Sequence, residues 1–151
     1  MSPYDRLKEL GLSLPEVAAP AAAFVPSVRA GGLVFVSGHI ARREGKPWTG
    51  KVGAGVTLEG GQQAARAVAL DLLGALHAAV GDLDRVQRIV KLTVLVNSAP
   101  DFTDQHLIAN GASELFQRVF GPRGAHARAA FGVAQLPFGA CVEIELVAEA
   151  A

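Results

Sequence analysis

Cysteine is nearly missing from this chain: Cys141 stands alone among 151 residues. One thiol cannot make an intrachain disulfide or a zinc site, so the expectation is a reducing, cytoplasmic setting without a structural metal. Net charge is missing as well, with Lys plus Arg and Asp plus Glu both at 14. Nucleic-acid affinity comes largely from phosphate neutralisation, so a balanced chain without a basic run makes a poor partner for nucleic acid or an anionic membrane. Aromatics are sparse, with one Trp and one Tyr, which leaves no basic-aromatic interleaving to stack on single strands. The longest apolar stretch, Ala67 to Val80, is broken by Asp71 and His77 and is too short to span a bilayer. Nor does Met1-Ser2-Pro3-Tyr4-Asp5-Arg6 have the basic-then-apolar profile of a signal peptide.

What is present is core-forming material. Half of the residues are apolar, and a domain of this size buries roughly 70% of its unfolded surface. The expectation is one domain over 1–151, with a short helix (Tyr4 to Leu10) and a Pro- and Ala-rich strap (Pro15 to Ala23) ahead of the main body. Phe24 to Val28 and Gly32 to Ser37 read as strands joined at Ala30-Gly31-Gly32. Leu33 to Val36 are all apolar, so that strand should be covered on both faces. The Gly-rich, charged stretch from Ala41 to Gly55, which holds Trp48, reads as a loop or weak edge hairpin. Thr57 can cap a helix from Leu58 to about Val80, with Ala65, Ala69, Leu72, Leu73 and Leu76 as its apolar stripe. Ile89 to Asn97 alternates as a strand, with Val90, Leu92, Val94 and Val96 pointing one way and Lys91, Thr93 and Asn97 the other. Thr103 to Phe120 reads as a second helix. Arg128 to Ala134 and Cys141 to Val147 read as a closing hairpin around Leu136-Pro137-Phe138-Gly139. The order predicts an α+β layer arrangement, one sheet with both helices on one face.

Period-two alternation assigns the hairpin's faces. Ala129, Phe131 and Val133 would join Val142, Ile144 and Leu146 under the helices. Arg128, Ala130, Gly132 and Ala134 would join Cys141, Glu143, Glu145 and Val147 on the other side. That second face is rich in small and partly apolar residues, which suits close packing against another subunit better than water. If Leu136 pairs with Gly139, Gly132 faces Glu143 and Arg128 lies roughly 13 Å further along. One small ligand then meets both only through long reach, a bulge or two subunits.

Arg128 is the first candidate for chemistry, because its planar fork matches a carboxylate; the competing reading is an ion pair with Glu143 or Glu145 across an interface. Glu143 is the candidate proton carrier, since a confined carboxylate can position and deprotonate water. Ser37, Gly38 and His39 end a buried strand where backbone groups become available to ligands. Asn110 lies within the second helix, as a polar contact or a plain surface residue. His39, His77, His106 and His126 lack metal-ligand spacing, and His77 reads as an ordinary helix residue. Gly53-Ala54-Gly55 opens like a dinucleotide loop, but its last glycine and preceding buried strand are missing.

Arg128-Ala129-Ala130-Phe131-Gly132-Val133-Ala134-Gln135-Leu136-Pro137, followed by Val142-Glu143-Ile144-Glu145, resembles the signature of the RidA/YjgF family of reactive intermediate deaminases. Phe35-Val36-Ser37-Gly38-His39-Ile40 is similar to the family's Ser-Gly-Gln-Ile segment. Val90 to Val96, Asp101-Phe102 and Asn110 through Phe116 follow in the family's order. The resemblance implies a chorismate-mutase-like fold with one mixed sheet and a homotrimer built on a central barrel of sheets, with pockets between subunits. It implies that Arg128 grips a substrate carboxylate, that Glu143 helps place a hydrolytic water, and that Ser37, Gly38, His39 and Asn110 line the pocket. The implied reaction is hydrolysis of an enamine or imine, such as 2-aminoacrylate or 2-iminopropionate, to a 2-oxo acid and ammonia, with no cofactor. Departures from the family pattern are Ser27 for a tyrosine, Ala130 for a cysteine and His39 for the glutamine. With the added N-terminal helix, they resemble a longer branch labelled endoribonuclease. A non-catalytic trimer that binds small carboxylates is the alternative, and an endoribonuclease a more distant one.

Overall fold

The computed structural model describes residues 1–17, 20 and 22–151. Positions 18, 19 and 21, part of the expected strap, lie outside the described residues. Helix α1 (Pro3–Glu9) starts on a capping box in which Ser2 Oγ accepts from the Asp5 amide and the Asp5 carboxylate accepts from the Ser2 amide. Tyr4 then ties α1 to the body: its hydroxyl is hydrogen-bonded to His77 Nδ1 at 2.9 Å and accepts from the Leu83 amide at 2.7 Å. His77 is therefore a docking residue for the N-terminal helix.

Strands β1 (Ser27–Ala30) and β2 (Leu33–Ile40) form the expected hairpin. The charged loop carries two short ladders, β3 (Arg42–Arg43) with β4 (Lys46–Pro47) and β5 (Lys51–Val52) with β6 (Gly55–Val56). Thr57 caps α2 (Leu58–Val80) through the Gly60 amide, and Gly81 ends it at a positive φ of 84°. Strand β7 (Val86–Asn97) leads to α3 (Gln105–Phe120), and β8 (Ala127–Val133) and β9 (Val142–Ala150) follow. The predicted apolar stripe of α2 is fully buried, and α2 and α3 pack together over one side of the sheet. No helix among the described residues is long and apolar enough to cross a membrane.

The sheet order, β1-β2-β9-β7-β8, corrects the closing hairpin. β8 pairs with β7 in parallel, and β9 pairs with the other edge of β7 in antiparallel. Residues 134–141 therefore arch over the end of β7. Asn97, the last residue of β7, holds the arch: its Nδ2 donates to Gln135 Oε1 and to the Ala140 carbonyl. Lys51 Nζ adds bonds of 2.7 Å to Asn97 Oδ1 and to the Ala134 carbonyl. Asn97 is buried with these groups, although alternation placed it on the open side.

The inserted strand also reverses the face assigned to β8. Leu92, Val94 and Val96 lie beside Leu146, Ile144 and Val142 on one edge and beside Arg128, Ala130 and Gly132 on the other. In-register neighbours share a face, so Arg128 points to the helix side and Phe131 to the open side. A bulge between Ile89 and Lys91 leaves Ile89, rather than Val90, in the fully buried row.

The open side remains apolar with the corrected residues. Val28, Leu33, Phe35 and Phe131 are 54, 37, 45 and 46% exposed in the single subunit. Val34 and Val36 are buried, so β2 is covered on one face only and needs a second surface for the other.

Helix contact fixes the spacing between α2 and α3. Gln62 Nε2 donates to the Leu107 carbonyl at 2.9 Å, and Gly111 faces the Gln62 carbonyl so closely that a Cβ would clash with backbone. Gly111→Ala should push the helices apart and destabilise the fold by about 1–3 kcal/mol, read from the denaturant midpoint. A midpoint equal to wild type would show that the helices are not in this contact.

Candidate functional site

One group of predicted residues gathers where β2 is bulged. Its register against β9 shifts between Val36 and His39, so Ser37 and Gly38 form the irregular step. The Ser37 amide donates to the Pro26 carbonyl and its hydroxyl to the Val25 carbonyl at 2.6 Å, which fastens the bulge to the chain entering β1. Glu143 enters from β9 and lays its carboxylate over Gly38. A Cβ at position 38 would stand 2.5 Å from Glu143 Oε2, so a side chain there would displace the carboxylate from this position.

Ser37, Gly38, His39 and Glu143 line a cleft of about 490 Å³. Arg42 and Asp71 join them, and Phe24 and Phe138 form part of its apolar wall. Phe138 holds a left-handed backbone conformation (φ 59°), uncommon for a bulky residue. Burial raises the Glu143 pKa, and the neighbouring Glu145 adds to the rise. Burial lowers the pKa of His39, with Arg42 acting in the same direction, so His39 favours its neutral form. Burial raises Asp71, while Arg42 opposes the rise. The cleft thus holds a carboxylate with a strengthened hold on a proton, a property suited to moving protons to and from water.

The second group lies on the helix side of β8. Arg128 Nη1 donates to Asn110 Oδ1 at 2.9 Å and to Ser113 Oγ at 3.1 Å, and Nη2 donates to the His106 carbonyl at 3.1 Å. His106, Asn110 and Ser113 fall at i, i+4 and i+7, one stripe of α3. All three acceptors are neutral, so the guanidinium is held without being neutralised. Three of its five N–H groups are engaged by described residues; Nε–H and one N–H of Nη2 remain.

Arg128 and Glu143 are not brought together within one subunit. β7 lies between their strands, a separation of about 10 Å across two strand spacings, and the side chains leave opposite faces. Within the subunit the partners of Arg128 among the described residues are Asn110, Ser113 and His106, whereas the ion pair with Glu143 or Glu145 was expected across an interface. Asn110 is a direct partner of Arg128 and not a plain surface residue. Sequence reading missed Ser113, although its place three residues after Asn110 was the available signal. Arg42, Asp71, Phe24 and Phe138 were also missed, because only the folded chain brings them to the cleft. Among the described residues, no group of three His, Cys, Asp or Glu side chains is placed to hold a metal ion.

The raised Glu143 pKa carries a stability consequence. The folded state holds this proton more tightly than the unfolded chain, so stability is complete below the ordinary glutamate range and falls as pH rises through the window up to the raised value. Glu143→Gln should therefore melt above wild type at pH 7, with the gain shrinking toward about pH 4, near the ordinary value. A variant no more stable at pH 7 would show that the carboxylate is not strained by burial.

Comparison with known proteins converges on one group. The family model described as Endoribonuclease L-PSP matches residues 15–150. Protein TCP17 of Trypanosoma cruzi is 52% identical over 145 residues, covering 95% of this chain and 91% of that protein. The crystal structure of Atu1372 from Agrobacterium tumefaciens, of unknown function, superposes with a TM-score of 0.92 at 44% identity, covering 99% of this chain and 92% of that one. A candidate endoribonuclease of Shewanella oneidensis superposes at 0.95 with 31% identity, covering 99% of both chains. The RidA structure from a Psychrobacter species, at 24% identity and a TM-score of 0.56, covers 89% of this chain and 94% of that one and shares the fold. With its mixed sheet under paired helices and the arginine and glutamate signatures on β8 and β9, the chain belongs to the endoribonuclease L-PSP family, also called YjgF/RidA.

Proposed function

We propose that this protein hydrolyses reactive enamines and imines of the 2-aminoacrylate and 2-iminopropionate type to 2-oxo acids and ammonia. The observation that carries the reading is Arg128: a guanidinium fixed by three neutral acceptors, with Nε–H and one Nη2 N–H left for an anion. A carboxylate satisfies those donors and the uncompensated charge together.

The reaction needs a second component, a water directed at the imine carbon. Glu143, with its raised proton affinity, supports the role of base. It takes a proton from water as oxygen bonds to the carbon of the protonated imine, whose nitrogen becomes a neutral amine. Glu143 then returns that proton to the nitrogen, and as the carbon–nitrogen bond breaks and ammonia leaves, the carbinolamine hydroxyl gives its own proton to the Glu143 carboxylate and the carbon–oxygen double bond forms. The carboxylate is held at Arg128 throughout, which converts the addition into a positioned step. The imine is already electrophilic, so the proposed chemistry uses no cofactor.

Both halves act on one substrate if Arg128 of one subunit meets the Glu143 cleft of the next. The exposed Val28, Leu33, Phe35 and Phe131 support association through the open face, since covering each large apolar side chain contributes about 1.5–3 kcal/mol. The family resemblance supports a homotrimer with three such pockets.

Binding without turnover is the second reading, favoured by Ala130, which offers no side-chain chemistry beside Arg128 on the helix face of β8. The endoribonuclease name borne by relatives finds little support in a chain of zero net charge.

The test is ammonia release while 2-aminoacrylate or 2-iminopropionate is generated in situ. The wild type should exceed the spontaneous rate, and Arg128→Ala should lose about a hundredfold, the scale of a charge-assisted bidentate contact. A folded wild type with no acceleration but saturable 2-oxo-acid binding would replace catalysis by binding. RNA binding at low salt would revive the endoribonuclease reading. In sedimentation, the wild type should run as a trimer and a Phe35→Asp, Phe131→Asp double variant as a monomer. A wild-type monomer would remove the shared site.

A further inference from the structure

We infer that Ser113 and His126 are positioning residues for Arg128, joined to it in a hydrogen-bond relay of fixed direction. The inference rests on the reading of Arg128 as the carboxylate grip. His126 Nδ1 lies 2.6 Å from the Gly124 carbonyl, which can only accept, so Nδ1 carries the ring proton. Nε2 of the neutral ring is then an acceptor, and at 2.8 Å it takes the Ser113 hydroxyl proton. The Ser113 oxygen thereby keeps its lone pairs for Arg128 Nη1. The relay runs from Arg128 N–H to Ser113 O–H to His126, and from His126 Nδ1–H to Gly124.

Packing surrounds the His126 end of the relay. Gly124 sits so close to the Phe116 carbonyl at the end of α3 that a Cβ there would clash with backbone. The His126 ring meets Phe116 edge-on, with centroids 6.3 Å apart and planes at 78°. Ser113 is buried and would otherwise turn its proton toward the carbonyl of the preceding helical turn. His126 removes that choice, and each bond in the relay polarises the next. Ser113 bonds Nη1, whereas the donors left for a carboxylate are Nε–H and one N–H of Nη2, so Ser113 and His126 act through Arg128.

Two substitutions separate positioning from packing. His126→Phe keeps a ring against Phe116 and removes both nitrogens. His126→Gln keeps an acceptor for Ser113 and a donor for Gly124. Nitrogen NMR of the Arg128 guanidinium reads the hold directly and without ligand. Rotation about its Nε–Cζ bond should be restricted in the wild type and His126→Gln, and freed in His126→Phe. Pyruvate titration, with KM and kcat in the ammonia assay, reads the consequence. His126→Phe should weaken pyruvate binding and raise KM about three- to tenfold, the scale of one lost hydrogen bond, with kcat within twofold, and His126→Gln should restore both. Equal rotation and affinity in all three proteins overturns the relay, as does equal damage in both variants. If the wild type neither binds pyruvate nor releases ammonia while its arginine is restricted and His126→Phe frees it, the relay stands and the deaminase reading falls.

Discussion

Strand β7 is hydrogen-bonded on both edges, in parallel to β8 and in antiparallel to β9, and this pairing gives every candidate side chain its direction. The row Leu92, Val94, Val96 must lie under the helices, because these residues are fully buried with α2 and α3. Whatever lies in register with that row shares its fate. Arg128 is thereby turned toward α3, while Glu143 and Glu145, beside Leu95 and Thr93, are turned away. Asn97 at the end of β7 maintains the arrangement by binding both ends of the arch between β8 and β9.

The two charged groups in the candidate site are held in ways that do not favour stability for its own sake. Arg128 is surrounded by acceptors that fix its geometry and leave its charge uncompensated. Glu143 is partly buried close to Glu145, and both facts work against its ionised form. A stability-optimised chain would pair such groups with each other or replace them with apolar residues. They instead stay apart, on different strands and opposite faces. The open sheet face carries phenylalanines that are half exposed in the single chain.

Small residues carry much of the required precision. Gly38 makes room for the Glu143 carboxylate, Gly111 lets α3 approach the backbone of α2, and Gly124 seats the turn that anchors His126. At Gly111 and Gly124 a methyl group would collide with backbone, which cannot yield cheaply, and at Gly38 it would displace the Glu143 carboxylate. The positions of Glu143, Asn110 and Arg128 thus depend on the absence of side chains nearby as much as on bonds.

Periodicity and capping in the sequence determined the elements. Thr57 and Gly81 bound α2, the alternation from Leu92 to Val96 marks β7, and the apolar stripe of α2 is buried as read. The motifs around Arg128 and Glu143 determined the family, because the spacing of chemically distinctive residues survives any uncertainty about strand pairing. Tertiary structure alone decided that the last two strands do not pair with each other. Local alternation reports that two faces exist but not which strand lies between, and inserting β7 moved Arg128 to the helix side and Phe131 to the open one. It alone decided that Ser113 meets Arg128 and His126, and that Asp71 and Phe138 line the cleft of Glu143, since these groupings join segments whose separation along the chain carries no local signal. Pattern is a property of neighbours in sequence; a site is a property of neighbours in space.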